Sequence, residues 1–363
     1  MAPDSRWKLS TGRCVEDIIR DAFNTLPAHQ LEHSLLSSFL LDLSDHAVTG
    51  FFSEAEMVEL KGQFPAQPPV NVELANYLNA FLKVIRHCRM HSRSYGFLMG
   101  LSKAKTTTEL FTTVFASLPP PVTTSDNRWR SWVDFVVHST CNLFSSPNNL
   151  LNEAQSEDWY NMHLWTPVIH AAFLPVQSVV LVPGELVCRA SSLLLNQDRC
   201  RTAGPENRQK LGPRIDGIIR SVHHDQLEFG AIEAGKKFDG TGATKWIEDS
   251  NKLRRVLRDM LVRLHGEVDN DSVKRVQTVG IITGGLRFQL LRCWAMKKGG
   301  VVLCENLGPV REYPKNMHKL HKCLWHLIQS VDTAIRIIQE TSNVVENEHS
   351  TITLDELLAT DAS

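Results

Sequence analysis

Hydrophobic positions follow two regimes along the chain. In the first third they recur at three- and four-residue intervals, the spacing of an amphipathic helix. Val15 to Phe23, the run around "LEHSLLSSFLLDL", Ser53 to Lys61 and "NVELANYLNAFLKVIRHCRM" therefore predict helices; in the last, Leu74, Tyr77, Leu78, Phe81 and Leu82 stay in step. "FPAQPP" and "SLPPPVTTSD" interrupt them, and because Pro119 to Pro121 cannot continue a helix, a boundary is expected near residue 120.

After that boundary, "RWRSWVDFVVHSTCNLF" and "SEDWYNMHLWTPVIHAAF" predict two more helices. In the second, Ser156 is a candidate cap, and Trp159, Met162, His163 and Trp165 form an apolar face ahead of Pro167. An apolar run "SVVLVPGE", a helix "LVCRASSLLLN" and the basic loop "QDRCRTAGPENRQKLGP" follow. The regime then changes. "RIDGIIRSV" and "LEFGAIEAG" are β-branched and aliphatic runs separated by "HHDQ", which predicts a hairpin. A helix from Thr241 to about His265 carries Trp246, Leu253, Val256, Leu257, Met260, Leu261 and Leu264 on one side. Strands are expected in "RVQTVGIITGG", "LRFQLLRCWAM" and "GVVLCENL", then a long helix from Asn316 to about Gln339.

The expected architecture is α/β, with helices packed on a small mixed sheet. A helical region spans residues 1–120, an α/β domain 121–343, and a polar, acidic tail 344–363.

Composition narrows the partners. With 39 basic against 40 acidic residues, no net charge advertises nucleic acid or membrane, so any such partner must be met by a local patch. No stretch approaches ~18 uninterrupted apolar residues, and the amino-terminal segment is charged throughout, so an intracellular protein of cytoplasm or nucleus is expected. The 8 cysteines form no C-x-x-C pair, which suits reduced thiols.

Chemistry concentrates in "LEFGAIEAGKKF". From Gly230 it is G-x-x-x-x-G-K-K, but Lys237 stands where a phosphate-binding loop has its hydroxyl, Glu233 would lie against the phosphates, and "KFDGTGA" separates the lysines from the next helix. A metal site suits the same residues better: acids on paired strands converge on one cleft, and a cation steadies the developing charge. Asp216 lies in the first strand and Glu233 late in the second; Glu157 or Asp158 on the preceding helix could add a third acid. Glu228, near the strand start, is expected as a solvated edge charge, and Glu185 as a cap for the next helix. His87, Cys88 and His91, or His318, His321 and Cys323, offer incomplete ligand sets; solvated basic helix faces are the expectation for both.

The order "SEDW" on a helix, "RIDG" on one strand and "AIEAGK" on the next resembles the PD-(D/E)XK nuclease superfamily, over about residues 150 to 285. The stretches "WKLSTGRCVEDII" and "KWIEDSNKLRRVLRDML" also resemble a lineage-restricted family of fungal proteins. The nuclease resemblance implies a restriction-endonuclease-like core hydrolysing phosphodiesters of DNA or RNA with Mg²⁺ or Mn²⁺. By position it assigns Glu157, Asp216 and Glu233 to the metal and Lys236 to the attacking water.

Two departures stand out. Ile215 replaces the usual proline, and E-x-K has become E-A-G-K, which sets residues 233 and 236 on opposite faces of a regular strand. A bulge at Gly235 could return Lys236 to the acidic face, or a lysine of the following helix, Lys245 or Lys252, could take its place. Otherwise the fold is expected as a catalytically inactive module that binds nucleic acid or protein. Arg199, Arg201, Arg208, Lys210 and Arg214 on one side and Lys245, Lys252, Arg254, Arg255, Arg258 and Arg263 on the other would form a basic rim for phosphates.

Overall fold

The computed structural model describes residues 6–27, 34–79, 154–174, 178–197, 209–222, 227–313 and 315–350, with isolated positions between 132 and 143 and at 176. Helices are α1 (Val15–Thr25), α2 (His46–Thr49), α3 (Glu54–Gly62), α4 (Glu157–Tyr160), α5 (Thr166–Phe173), α6 (Arg189–Leu195), α7 (Thr244–His265) and α8 (Met317–Ser350). Strands are β1 (Leu40–Asp42), β2 (Val179–Val187), β3 (Arg214–Ser221), β4 (Glu228–Gly235), β5 (Gln277–Gly284), β6 (Arg287–Ala295), β7 (Val302–Asn306) and β8 (Arg311–Glu312).

They form one mixed sheet in the order β1-β7-β6-β5-β4-β3-β2, with β8 also on β6. β3 and β4 are the antiparallel pair expected from the sequence. β4 and β5 run parallel, as a crossover through a helix requires, and α7 is that helix. α7 lies against β4, β5 and β6, burying Leu253, Val256, Leu257, Met260, Leu261 and Leu264 completely. Six such side chains contribute about 1.5–3 kcal/mol each, so α7 is pinned to the sheet by its apolar stripe. Gly280 belongs to the same contact: a Cβ there would meet Leu257 at 2.7 Å and Leu291 at 2.9 Å.

Between β5 and β6 the chain turns in two residues, and Gly285 supplies the left-handed φ of 56° that such a hairpin needs. Trp165 holds this turn, its indole N–H donating to the Gly285 carbonyl at 2.9 Å. Trp165 reaches it from a π-helical turn, Asn161–Trp165, that joins α4 to α5. The helix thus continues past Pro167, which follows directly on this π-turn, where the ladder has already shifted so that the Thr166 N–H donates to the Asn161 carbonyl. Met162, expected on the apolar face, is exposed.

Three expectations fail for non-local reasons. The described part of "LEHSLLSSFLLDL", from Ser34, holds not an α-helix but a 3₁₀ turn, Leu35–Ser38, ended by Phe39 at φ 51° and followed by β1. β1 pairs in parallel with Val302–Cys304, and all three of its residues are buried. "LVCRASSLLLN" likewise divides, its first two residues ending β2. Cys293 and Cys304 are not free thiols: the antiparallel register of β6 and β7 sets them opposite each other, and they are joined as a disulfide. α8 also outruns its expected end, and no helix among the described residues is long and apolar enough to cross a membrane.

Candidate functional site

The site lies where β3 and β4 meet α7. Gly217 pairs with Ile232, and continuing this antiparallel register by one residue sets Asp216 opposite Glu233. Opposed side chains share a face, with Cβ atoms roughly 4.5–5.5 Å apart. Asp216 Oδ2 accepts from the Ala234 N–H at 2.7 Å, which anchors one carboxylate oxygen.

Glu233 is 3% exposed. Its Oε1 is paired with Lys252 Nζ, while Oε2 is buried with no hydrogen-bond partner. Leaving a buried polar atom without a partner costs about 1–3 kcal/mol, more if it carries charge. Burial, opposed by the hydrogen bond from Lys252 and reinforced by the Asp216 charge, pushes the Glu233 carboxyl up to about 8. Burial raises Asp216 as well, against the Ala234 N–H and Lys252, which lower it.

α7 brings more than Lys252. Lys245, Asp249 and Lys252 are spaced i, i+4, i+7, and so form one stripe along the helix. Lys245 Nζ sits 2.7 Å from Asp249 Oδ1, and this bond raises the lysine above its ordinary range. Asp249 is buried, and its Oδ2 would lie 3.9 Å from a Cβ at position 235. Its charge reaches Glu157, Asp216 and Glu233 alike.

Glu157, first residue of α4 behind the Ser156 cap, also joins this neighbourhood. Desolvation and then the Asp216 charge raise its carboxyl, while Lys245 and the Lys236 backbone N–H lower it. Glu157 and Glu233 thus each come within electrostatic reach of Asp216, although the three do not converge on one point. Lys236 contributes its N–H to Glu157, but its exposed side chain follows the end of β4.

Gly235 does not bulge. The β4–β5 ladder runs in register from Gly230↔Val279 to Gly235↔Gly284, and the Gly235 carbonyl accepts from Gly285 N at 3.0 Å. The cation at Glu233 is consequently Lys252, one of the two helix lysines considered from sequence. The phosphate-loop alternative also has no basis here, since α7 begins only at Thr244, well beyond Lys237.

Asp249 is not among the acids that the sequence points to. Its i+4 spacing from Lys245 and its place on the Lys252 stripe were visible; its burial depends on where α7 lies and was not. Glu228 differs from expectation in the opposite sense. Instead of a solvated edge charge it is 6% exposed, accepting from Arg189 N at 3.0 Å, Ala190 N at 2.8 Å and Cys188 Sγ at 3.4 Å. Glu185 does not cap α6; the Cys188 sulfur accepts from Ser191 N, and Glu185 pairs with Arg214 at 3.1 Å.

The expected basic rim is largely charge-paired. Arg254 is buried and bonded to Asp42 at 2.9 Å, Arg258 pairs with Asp259, and Arg263 with Glu267. Arg199, Arg201 and Arg208 lie outside the described residues, as do His87, Cys88 and His91. His321 is wholly buried against Trp132 with Nδ1 at 2.9 Å from the Met317 carbonyl oxygen, so it is a core residue and no solvated helix face.

Among the described residues no group of three or more His, Cys, Asp or Glu side chains converges closely enough to hold a metal ion. A two-carboxylate arrangement is a different matter. Mg²⁺ keeps several waters and commonly takes only one or two protein carboxylates, its other ligands coming from substrate phosphate. The unpartnered Oε2 of Glu233, facing the same side of the sheet as Asp216, fits that pattern. No protein-family model, curated protein or solved structure matches the chain.

Proposed function

We propose that the chain is a metal-dependent phosphodiesterase acting on nucleic acid, built on a PD-(D/E)XK-like site. The observation that carries this is Glu233: a buried carboxylate on a strand end, opposite a second acid, with one oxygen on a lysine and the other without a partner. Asp216 and Glu233 would hold Mg²⁺ or Mn²⁺, with Glu157 near enough in charge to assist. Bound there, the ion would supply Lewis-acid polarisation and neutralise charge developing on phosphate.

The chain's own groups have distinct parts. Lys252 holds Glu233 in place and presents an ammonium beside the reacting centre, the role the superfamily usually gives to the lysine of E-x-K. Asp249 positions Lys245 at the same rim, where its ammonium can meet a phosphate oxygen. The Ala234 N–H fixes Asp216, so one acid is pre-oriented.

The alternative is an inactive nuclease fold that binds a partner. Its support is the lack of a three-acid cluster among the described residues and the charge-paired rim. Incubating the chain with single- and double-stranded DNA and RNA, with Mg²⁺, with Mn²⁺ and with chelator, beside Asp216→Ala, separates them. Cleavage that needs the ion and Asp216 is expected. Cleavage indifferent to both, or none, overturns the enzymatic assignment.

A further inference from the structure

The acid pair has a further neighbour on α7. Asp249 stands one turn before Lys252, so the two side chains leave the helix on one stripe, about 4.5 Å apart along its axis. Lys252 meets Glu233, and Asp249 meets residue 235, the next position on that face of β4 at the two-residue period of a strand. That position is a glycine. Its missing side chain leaves room for the carboxylate, and Asp249 Oδ2 lies 3.9 Å from where a Cβ would stand. Asp216 reaches the same stretch from β3, accepting from the Ala234 N–H. Three carboxylates thus border two successive rows of one sheet face, although they do not converge as they stand.

The two lysines beside these acids are held differently. The Lys252 side chain is 36% exposed, whereas that of Lys245 is 71% exposed and reaches Asp249 from solvent across one turn. An exposed lysine in such a pair is held weakly. Asp249 itself is 6% exposed, and a buried carboxylate keeps its charge only beside a cation. Lys245 meets that need, and a divalent ion beside Asp216 and Glu233 would meet it with twice the charge.

We propose that Asp249 is a third ion-binding carboxylate of this site and that Lys245 is its stand-in cation, giving up Asp249 Oδ1 when a divalent ion is bound. The assignment rests on the reading of Asp216 and Glu233 as ligands. What points to a ligand beyond the acids themselves is Glu233 Oε2, buried and unpartnered on the same face, one row from Asp249. The charge of Asp249 already acts on both Asp216 and Glu233, so a cation is drawn toward all three. Lys245, once released, is an ammonium at the rim with its donors free for a phosphate oxygen.

Calorimetric titration of Mn²⁺ into the full chain tests this through opposite signs. Asp249→Asn, close in shape, should weaken the ion by about tenfold or more because it removes a ligand charge; Lys245→Met should tighten it by about threefold or more because it removes a competing cation. Lys237→Met, which removes a lysine paired with Asp239 in the loop after β4, should leave the affinity within about twofold. Matched thermal melts would show that the variants fold. If Asp249 served only to position Lys245, Asp249→Asn and Lys245→Met would change the affinity alike. With the wild type binding, an affinity unchanged or raised in Asp249→Asn, or unchanged or lowered in Lys245→Met, would overturn the assignment and leave the acid pair standing. No binding by the wild type would remove the ion from the acid pair and this assignment with it.

Discussion

β4 buries two glutamates five residues apart, and they have been treated in opposite ways. Glu228 at the strand's start receives two backbone N–H groups and a thiol. Glu233 near its end has Lys252 on one oxygen and no partner on the other. The same side chain in the same strand is thus a saturated joint at one end and an under-coordinated acid at the other. Donors account for every oxygen of a saturated buried carboxylate, whereas a buried oxygen without a donor is costly and calls for an explanation outside the local fold. The neighbours match this division. Glu228 ties α6 to the sheet, whereas Asp216 and Asp249 crowd Glu233 with further negative charge.

The largest expected effect is on catalysis. If the proposed site is right, Lys252→Met and Glu233→Gln should each lower ion-dependent cleavage by about 10²–10³-fold or more, the first by removing an ammonium and the second by removing a carboxylate that the ion would bind on displacing its proton. Glu228→Gln should leave the specific rate of folded protein unchanged, and single-turnover assays at matched folded concentration would check the contrast.

Stability should show the reverse ranking. Glu228→Ala leaves the Arg189 and Ala190 N–H groups without their acceptor and is expected to cost about 3 kcal/mol in urea unfolding. Glu233→Gln should instead stabilise at alkaline pH. Because the folded-state value lies near 8, above the ordinary 4.5, folding takes up a proton. The contribution of Glu233 is fully present below pH 4.5 and lost as pH rises through 8. The variant should therefore gain several kcal/mol over the wild type above pH 8, about 5 kcal/mol at most, shrinking toward zero near pH 4.5.

The smallest effect belongs to Gly235. A Cβ there meets only ordinary contacts, the nearest being the Thr283 carbonyl oxygen at 3.6 Å, and the backbone is regular strand. Gly235→Ala should change stability by less than about 1 kcal/mol. A loss of several kcal/mol would mean that the glycine supports a special conformation after all.

How far the sequence could be read follows the range of the interactions involved. The hairpin of β3 and β4, the helix after it and the acids Asp216 and Glu233 were legible because alternation, turn residues and helical spacing are local. β1 was not, since Leu40–Asp42 becomes a strand only by pairing with residues some 260 positions away. Glu228 misled for a related reason: its donors sit about 40 residues upstream, and only the packing of α6 brings them to it. The lysine was half legible. Spacing alone ruled out a regular E-x-K, but choosing Lys252 over a bulge at Gly235 needed the β4–β5 register, which is fixed by a strand beyond α7. The disulfide likewise needed the β6–β7 register.

The contrast between the two glutamates is tested most directly by calorimetric titration of Mn²⁺ into the chain near pH 7.5. Wild type should bind the ion saturably and release protons on binding. Asp216→Ala and Glu233→Gln should abolish the heat, while Glu228→Gln keeps it. Absence of binding in the wild type, or equal binding by Glu233→Gln, would contradict the assignment of the Glu233 end of β4 to a metal ion.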